Sequence, residues 1–256
     1  MRFPIALMIL IGTAVPAFAD MESARNALRA GNPAEMTALA ASGDDDAQLL
    51  LAEAYMAAGG VARDPARAVI WAKKAATQGN LLAQVMLAQV FGEGTGVEKD
   101  PAESARWLVM AAAQGDAESQ FDLATRYLNG AGVTADPATG LMWMKKAAEQ
   151  GDPMMQMQLG AALANGVDGN SRPEAGIAWI TRAADRGYVE AQTTLGMVNI
   201  RGTLGDPDIV AAYKWFRLAA DRGDERSMQI FVELEKQMTP AQLAQARRKA
   251  REWTPK

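Results

Sequence analysis

Residues 116–151 read DAESQFDLATRYLNGAGVTADPATGLMWMKKAAEQG, and this stretch is one period of a repeat that fills most of the chain. Its closing Gly151 belongs to a column Gly43, Gly79, Gly115, Gly151, Gly187 and Gly223, each 36 residues from the next. Trp143 belongs to a column Trp71, Trp107, Trp143, Trp179 and Trp215 with the same spacing. Leu51, Leu87, Leu123, Leu159 and Leu195 keep step, followed by Phe231. A small pair precedes each glycine, as Ala75-Ala76, Ala111-Ala112, Ala147-Ala148, Ala183-Ala184 and Ala219-Ala220. A fixed period of this length is the mark of a stacked repeat, in which one supersecondary unit recurs and buries its apolar face on its neighbours.

Each period decodes as two helices. Asp44, Asn80, Asp116, Asp152 and Asp224 follow or directly precede the helix starts and can accept from free amides there. Ala47, Leu51 and Tyr55 lie at i, i+4 and i+8, which is one helix face. Gly60-Val61, Gly96-Val97 and Gly132-Val133 then mark a turn. Asp64-Pro65, Asp100-Pro101 and Asp136-Pro137 place a capping side chain and a proline at the start of the second helix. Ala68, Trp71, Ala72 and Ala75 form its apolar stripe, with tryptophan expected to fill the space between units. The closing glycine supplies a left-handed terminus. In the fourth unit Arg172-Pro173 replaces Asp-Pro, and Ser171 is expected to cap instead. In the fifth, Asp208 keeps the capping column while Ile209 replaces the proline. The expectation is an all-α fold, a right-handed α-solenoid of antiparallel helix pairs, with five units over residues 44–223.

The flanks read as a leader and two caps. Arg2, the apolar run Ile5–Val15 and Ala17-Phe18-Ala19 fit a Sec-type secretory signal over residues 1–19, cleaved after Ala19. The run is too short for a membrane span, so the chain is not expected to span a membrane after cleavage. A periplasmic or secreted location follows. Residues 20–43 read as a degenerate capping pair, whose second helix starts at Asn32-Pro33. Residues 224–256 read as C-terminal capping helices, the last starting at Thr239-Pro240 and running to about Trp253. Arg247, Arg248, Lys249 and Arg251 make that last helix basic, either as a solvated outer face or as a patch for an acidic partner.

Composition narrows the chemistry. There is no cysteine and no histidine, which removes thiol nucleophiles, disulfides, imidazole bases and ordinary zinc sites. Losing Arg2 with the leader leaves 25 basic against 30 acidic residues, net −5, which argues against nucleic-acid binding. No Gly-rich phosphate loop, nucleophile elbow or Ser-x-x-Lys appears. Met154, Met155 and Met157 could suggest a soft-metal site, but they point to different helix faces, and packing is the expected role. No metal and no cofactor are expected.

With Ser119, Leu123-Ala124, Tyr127, Gly130, Gly132-Val133, Asp136, Trp143, Ala147-Ala148 and Gly151, the quoted period resembles the Sel1-like repeat family, which is related to tetratricopeptide repeats. The fifth period keeps Ala191, Leu195-Gly196, Asp208, Ala212, Trp215-Phe216, Ala219-Ala220 and Gly223. The resemblance covers about 200 residues and implies a superhelix with a concave groove and a role exercised through protein contacts. It also implies partner classes such as the periplasmic sensor domain of a membrane kinase, or another envelope protein. A cysteine-rich subgroup linked to β-lactam binding is not matched, since this chain has no cysteine.

In a tetratricopeptide-like array the first helix of each pair lines the groove. The candidate partner-binding residues are therefore Glu53, Gln89 and Thr125, continued by Met197; Phe121 and Met157; and Asn129, Asn165 and Arg201 at the helix ends. Asparagine can donate and accept together on a peptide backbone, and Phe and Met can form an adaptable apolar floor. Phe121 and Met157 fit equally well as packing between adjacent first helices. The function expected is a periplasmic adaptor or regulator, a monomer and not an enzyme. The competing readings are a cell-envelope hydrolase built on paired carboxylates, and a scaffold that self-associates through its end helices.

Overall fold

A computed structural model describes Asn26 and residues 33–256, and every regular element among them from residue 33 onward is an α-helix. The thirteen are α1 (Pro33–Ala41), α2 (Asp45–Ala57), α3 (Pro65–Thr77), α4 (Leu81–Glu93), α5 (Pro101–Ala113), α6 (Ala117–Asn129), α7 (Pro137–Glu149), α8 (Pro153–Asn165), α9 (Pro173–Asp185), α10 (Val189–Arg201), α11 (Ile209–Ala220), α12 (Glu225–Gln237) and α13 (Pro240–Arg251). The leader expected over residues 1–19 lies outside the described residues. No helix among those described is long and apolar enough to cross a membrane. The chain forms two compact units, Met1–Trp107 and Leu108–Lys256.

Start signals in the sequence become hydrogen bonds. Asp44, Asn80, Asp116, Asp152 and Asp224 each accept from the amide three residues on, at 2.7, 3.0, 2.7, 2.9 and 2.8 Å. Asp64, Asp100, Asp136 and Asp208 do the same for the second helices, at 3.1, 3.0, 3.1 and 2.9 Å. Each such bond satisfies one of the amides that a helix start leaves open. Ser171 does not cap. Arg172 holds the cap position without a side-chain bond, and the Ser171 hydroxyl donates back to the Ala164 carbonyl at 2.7 Å. Ser171 stands one residue too early, so the nearest acceptor is the end of the preceding helix.

In the first unit α2 packs against α1 and α3, and α3 against α4. One core joins Met36 and Ala40 of α1 to Ala47, Leu51 and Ala54 of α2, with Trp71 of α3 laid against it. The next turn is fitted closely: a Cβ on Gly96 would stand 2.0 Å from the Pro65 Cβ, so only glycine serves there, and its φ of +77° has the same requirement. In the second unit α6 packs on α7, α8 on α7 and α9, α10 on α9 and α11, and α12 on α11. Successive helices therefore neighbour one another in chain order within each unit, which is an all-α repeat of the solenoid class.

Tryptophan plays a more mixed part than expected. Trp107 and Trp215 are buried, but Trp71, Trp143 and Trp179 are half-buried. Each of these three has a cation from the next turn over its ring: Lys74 at 3.8 Å, Lys146 at 4.1 Å and Arg182 at 4.3 Å. A cation over a partly exposed ring is attracted to its face and lays its own apolar stem along it.

Between repeats the join is a polar column that the hydrophobic pattern does not reveal. Gln48, Gln84, Gln120, Gln156 and Gln192 are buried and 36 residues apart. Each donates from Nε2 to the carbonyl eight residues earlier, Ala40, Ala76, Ala112, Ala148 and Ala184, at 3.0–3.2 Å. Those carbonyls lie in the last turn of the preceding second helix, where acceptors are left over. Gln120 also accepts from Gln150 Nε2 at 3.0 Å. Gln120→Leu should therefore lower stability by about 1–3 kcal/mol, read as a lower urea midpoint. Gln156→Leu should cost less, because the Gln156 Oε1 already lacks a partner and leucine removes that buried orphan.

The last helix departs from the period. α13 starts three residues after α12 ends, whereas α11 starts eight after α10. It lies against α11, and it ends at Arg251 rather than at Trp253. Glu235 of α12 ties the three together, accepting from Tyr213 Oη at 2.8 Å and Arg247 Nη2 at 2.9 Å. The Arg247 bond, then the Tyr213 bond, holds the Glu235 carboxyl below the usual glutamate range. A carboxyl with a depressed folded pKa stabilises above its unfolded value, and that contribution fades as pH falls through the folded value. Urea midpoints should drop more between neutral and acid pH for the native chain than for Glu235→Gln.

Candidate partner-binding face

The residues expected at the partner-binding face lie on the first helices of the hairpins. In the first unit Glu53 of α2 is half-buried and Gln89 of α4 is exposed, its Nε2 donating to Glu93 at 3.0 Å. In the second unit the candidates fall on α6, α8 and α10. Phe121, Met157 and Met197 are all half-buried. Phe121 packs against the cluster around Leu159, Met157 against that around Ile180 and Leu195, and Met197 against that around Tyr213 and Phe216. They are anchored side chains with part of their surface open, a firm floor rather than loose projections.

Thr125 is exposed, and its hydroxyl donates to the Phe121 carbonyl at 3.1 Å, within its own helix. Asn129, Asn165 and Arg201 are exposed, each the last residue before a left-handed glycine, Gly130, Gly166 or Gly202. The chain turns away immediately after each, so these side chains stand at a helix end with their polar groups accessible.

Asp122, one turn before Arg126 on α6, was not among the residues expected from the sequence. It is exposed, yet desolvation is the first cause that raises its carboxyl above the ordinary value, with Arg126 opposing. Desolvation lowers Arg126 in turn. The Asp122 column, Leu50, Met86, Asp122, Gln158 and Thr194, keeps no common chemistry, so periodicity could not single it out.

Eight aspartates of the cap columns make the backbone bonds described above. No group of three or more His, Cys, Asp or Glu among the described residues is placed to hold a metal ion. Met155 is buried in the Leu159 cluster, Met154 packs beside it, and Met157 belongs to the neighbouring cluster, so the three thioethers do not converge.

Helix hairpins repeated at a fixed period define an all-α repeat array. The chain belongs to the Sel1 repeat family: the Sel1 repeat model matches residues 45–80, 81–116, 117–152, 153–188 and 189–224. Sel1 repeats are in general protein–protein interaction modules. A crystal structure of a protective antigen of uropathogenic Escherichia coli, described as having an SLR fold, is similar at 27% identity and a TM-score of 0.72, over 93% of this chain and 52% of that one. The chain thus spans about half the length of that relative. A Sel1 repeat protein from Oxalobacter formigenes shares the fold at 24% identity and a TM-score of 0.64, over 89% of this chain and 96% of that one. No protein of curated function matches.

Proposed function

We propose that this chain is a periplasmic adaptor or regulator that binds a partner protein on the first-helix faces of its repeats, in the concave groove expected of the family. The observation that carries this reading is the row of exposed Thr125, Asn129, Asn165 and Arg201 on the same helices as the anchored, half-buried Phe121, Met157 and Met197. Accessible amides, a hydroxyl and a guanidinium beside partly open apolar side chains suit an extended polypeptide segment. The partner is an envelope protein, such as the sensor domain of a membrane kinase, and the leader read from residues 1–19 supports that compartment.

Photocrosslinking in living cells tests it. A photoreactive residue at Thr125, Asn129 or Asn165 is expected to give one discrete heavier species, while the same residue at exposed Met142 or Lys145 on α7 gives none. Adducts that are identical from both sets of positions, or absent from the first, contradict the assignment.

A further inference from the structure

At the ends of α7, α8 and α9 in the second unit lies a cavity of about 350 Å³, bordered by Gln156, Trp179, Arg182 and Arg186, with Glu149 and the Asp185–Lys256 pair at its margin. Its volume falls in the lower part of the range of ligand pockets, roughly 300–1,000 Å³. Gln156 is 4% exposed and its Oε1 has no partner. One repeat earlier that place is closed: Gln150 donates to the Gly115 carbonyl at 2.7 Å and to Gln120 Oε1 at 3.0 Å. Position 186 is arginine instead. It keeps the bond to the equivalent carbonyl, that of Gly151, but leaves the buried glutamine oxygen unmet.

One repeat later the same situation recurs and has an occupant. Gln192 Oε1 is again unpartnered, and Arg222 stands where Arg186 does. There the chain's own Trp253 packs into the cluster that holds Trp215 and Leu218, and the Arg222 guanidinium lies 4.8 Å from its ring centre. Three residues on, Lys256 Nζ pairs with Asp185 at 2.8 Å, and its backbone N–H donates to the Asp185 carbonyl at 2.9 Å. Moved back by one period of 36 residues, Trp215 becomes Trp179, Leu218 becomes Arg182, Arg222 becomes Arg186 and Asp185 becomes Glu149. These are the residues of the cavity. Glu149 meets only an exposed Lys145 at 3.7 Å, a weak pairing that a ligand cation can displace.

We propose that this cavity binds an extended peptide bearing an aromatic residue followed, three positions later, by lysine or arginine. The ring rests against Trp179 and beneath Arg186, as Trp253 does one repeat later, and the basic group meets Glu149. Arg182 in place of Leu218 adds a second guanidinium to hold the ring. This surface lies at the ends of the second helices and does not depend on the groove reading.

The test is calorimetric titration of the full chain with acetyl-Trp-Thr-Pro-Lys-amide and with its Ala-Thr-Pro-Lys counterpart. The tryptophan peptide is expected to bind the more tightly. Arg186→Gln, which restores the residue found at positions 78, 114 and 150, should close the place and weaken binding about tenfold, the scale of a desolvated cation–π contact. Its melting temperature should not fall. Trp253→Ala should free the next place and raise the stoichiometry from one peptide to two. Equal binding of the two peptides, or unchanged binding by Arg186→Gln, overturns the proposal.

Discussion

Replacing Gly176 by valine is expected to force α8 and α9 apart and to destabilise the second unit by on the order of 3 kcal/mol, at the upper end of overpacking effects. A Cβ at Gly176 would stand 2.4 Å from the Gly160 carbonyl oxygen and 2.8 Å from the Ala164 nitrogen. A Cβ at Gly160 would stand 2.7 Å from the Gly176 oxygen. These neighbours are backbone atoms, and backbone yields only if a whole helix shifts. Other hairpins meet at the same two columns through Ala52 and Ala68, Ala88 and Ser104, Ala124 and Gly140, or Gly196 and Ala212. Only α8 and α9 use glycine on both sides, so they have the least room to yield. Because stability in a repeat array is close to a sum over units and interfaces, the loss should appear locally. Amide exchange should accelerate over Pro153–Asp185, while α2 and α3 keep their protection.

Leu51→Ala is expected to do the converse, costing about 2–5 kcal/mol and loosening the first unit. Leu51 is fully buried among Met36, Ala40, Ala47 and Ala54, with Trp71 against them. Alanine would leave a void that the short side chains of Ala40, Ala47 and Ala54 cannot move in to fill. Exchange should therefore quicken in α1, α2 and α3. The urea midpoint and the exchange map together separate this outcome from a global loss of structure.

Much of the fold was legible because its punctuation is local. An aspartate before a proline, or a glycine after an alanine pair, specifies a helix end within a few residues, and the period repeats each signal. What escaped the sequence depends on what lies across a packed interface. Gln48 to Gln192 were as periodic as the tryptophans, but a buried amide needs a known acceptor, and Ala40 to Ala184 are brought to it only by stacking. Ser171 failed as a cap by one residue of register. α13 was recognisable as a helix, yet its short connection, which places it against α11, carries no periodic mark. At the candidate face, Thr125, Asn129 and Asn165 could be placed by helix phase alone. The desolvation of Asp122 could not, because it arises from the surrounding protein rather than from its neighbours in sequence.

The claim on which the functional account stands is that a partner engages the first helices of the repeats. Hydrogen–deuterium exchange of the chain alone and in complex with its captured partner tests that claim most directly. The account predicts slowed exchange along the last turns of α6, α8 and α10, around Thr125, Asn129, Asn165 and Arg201, with α7, α9 and α11 unchanged. Protection confined to α7, α9 and α11 would contradict it.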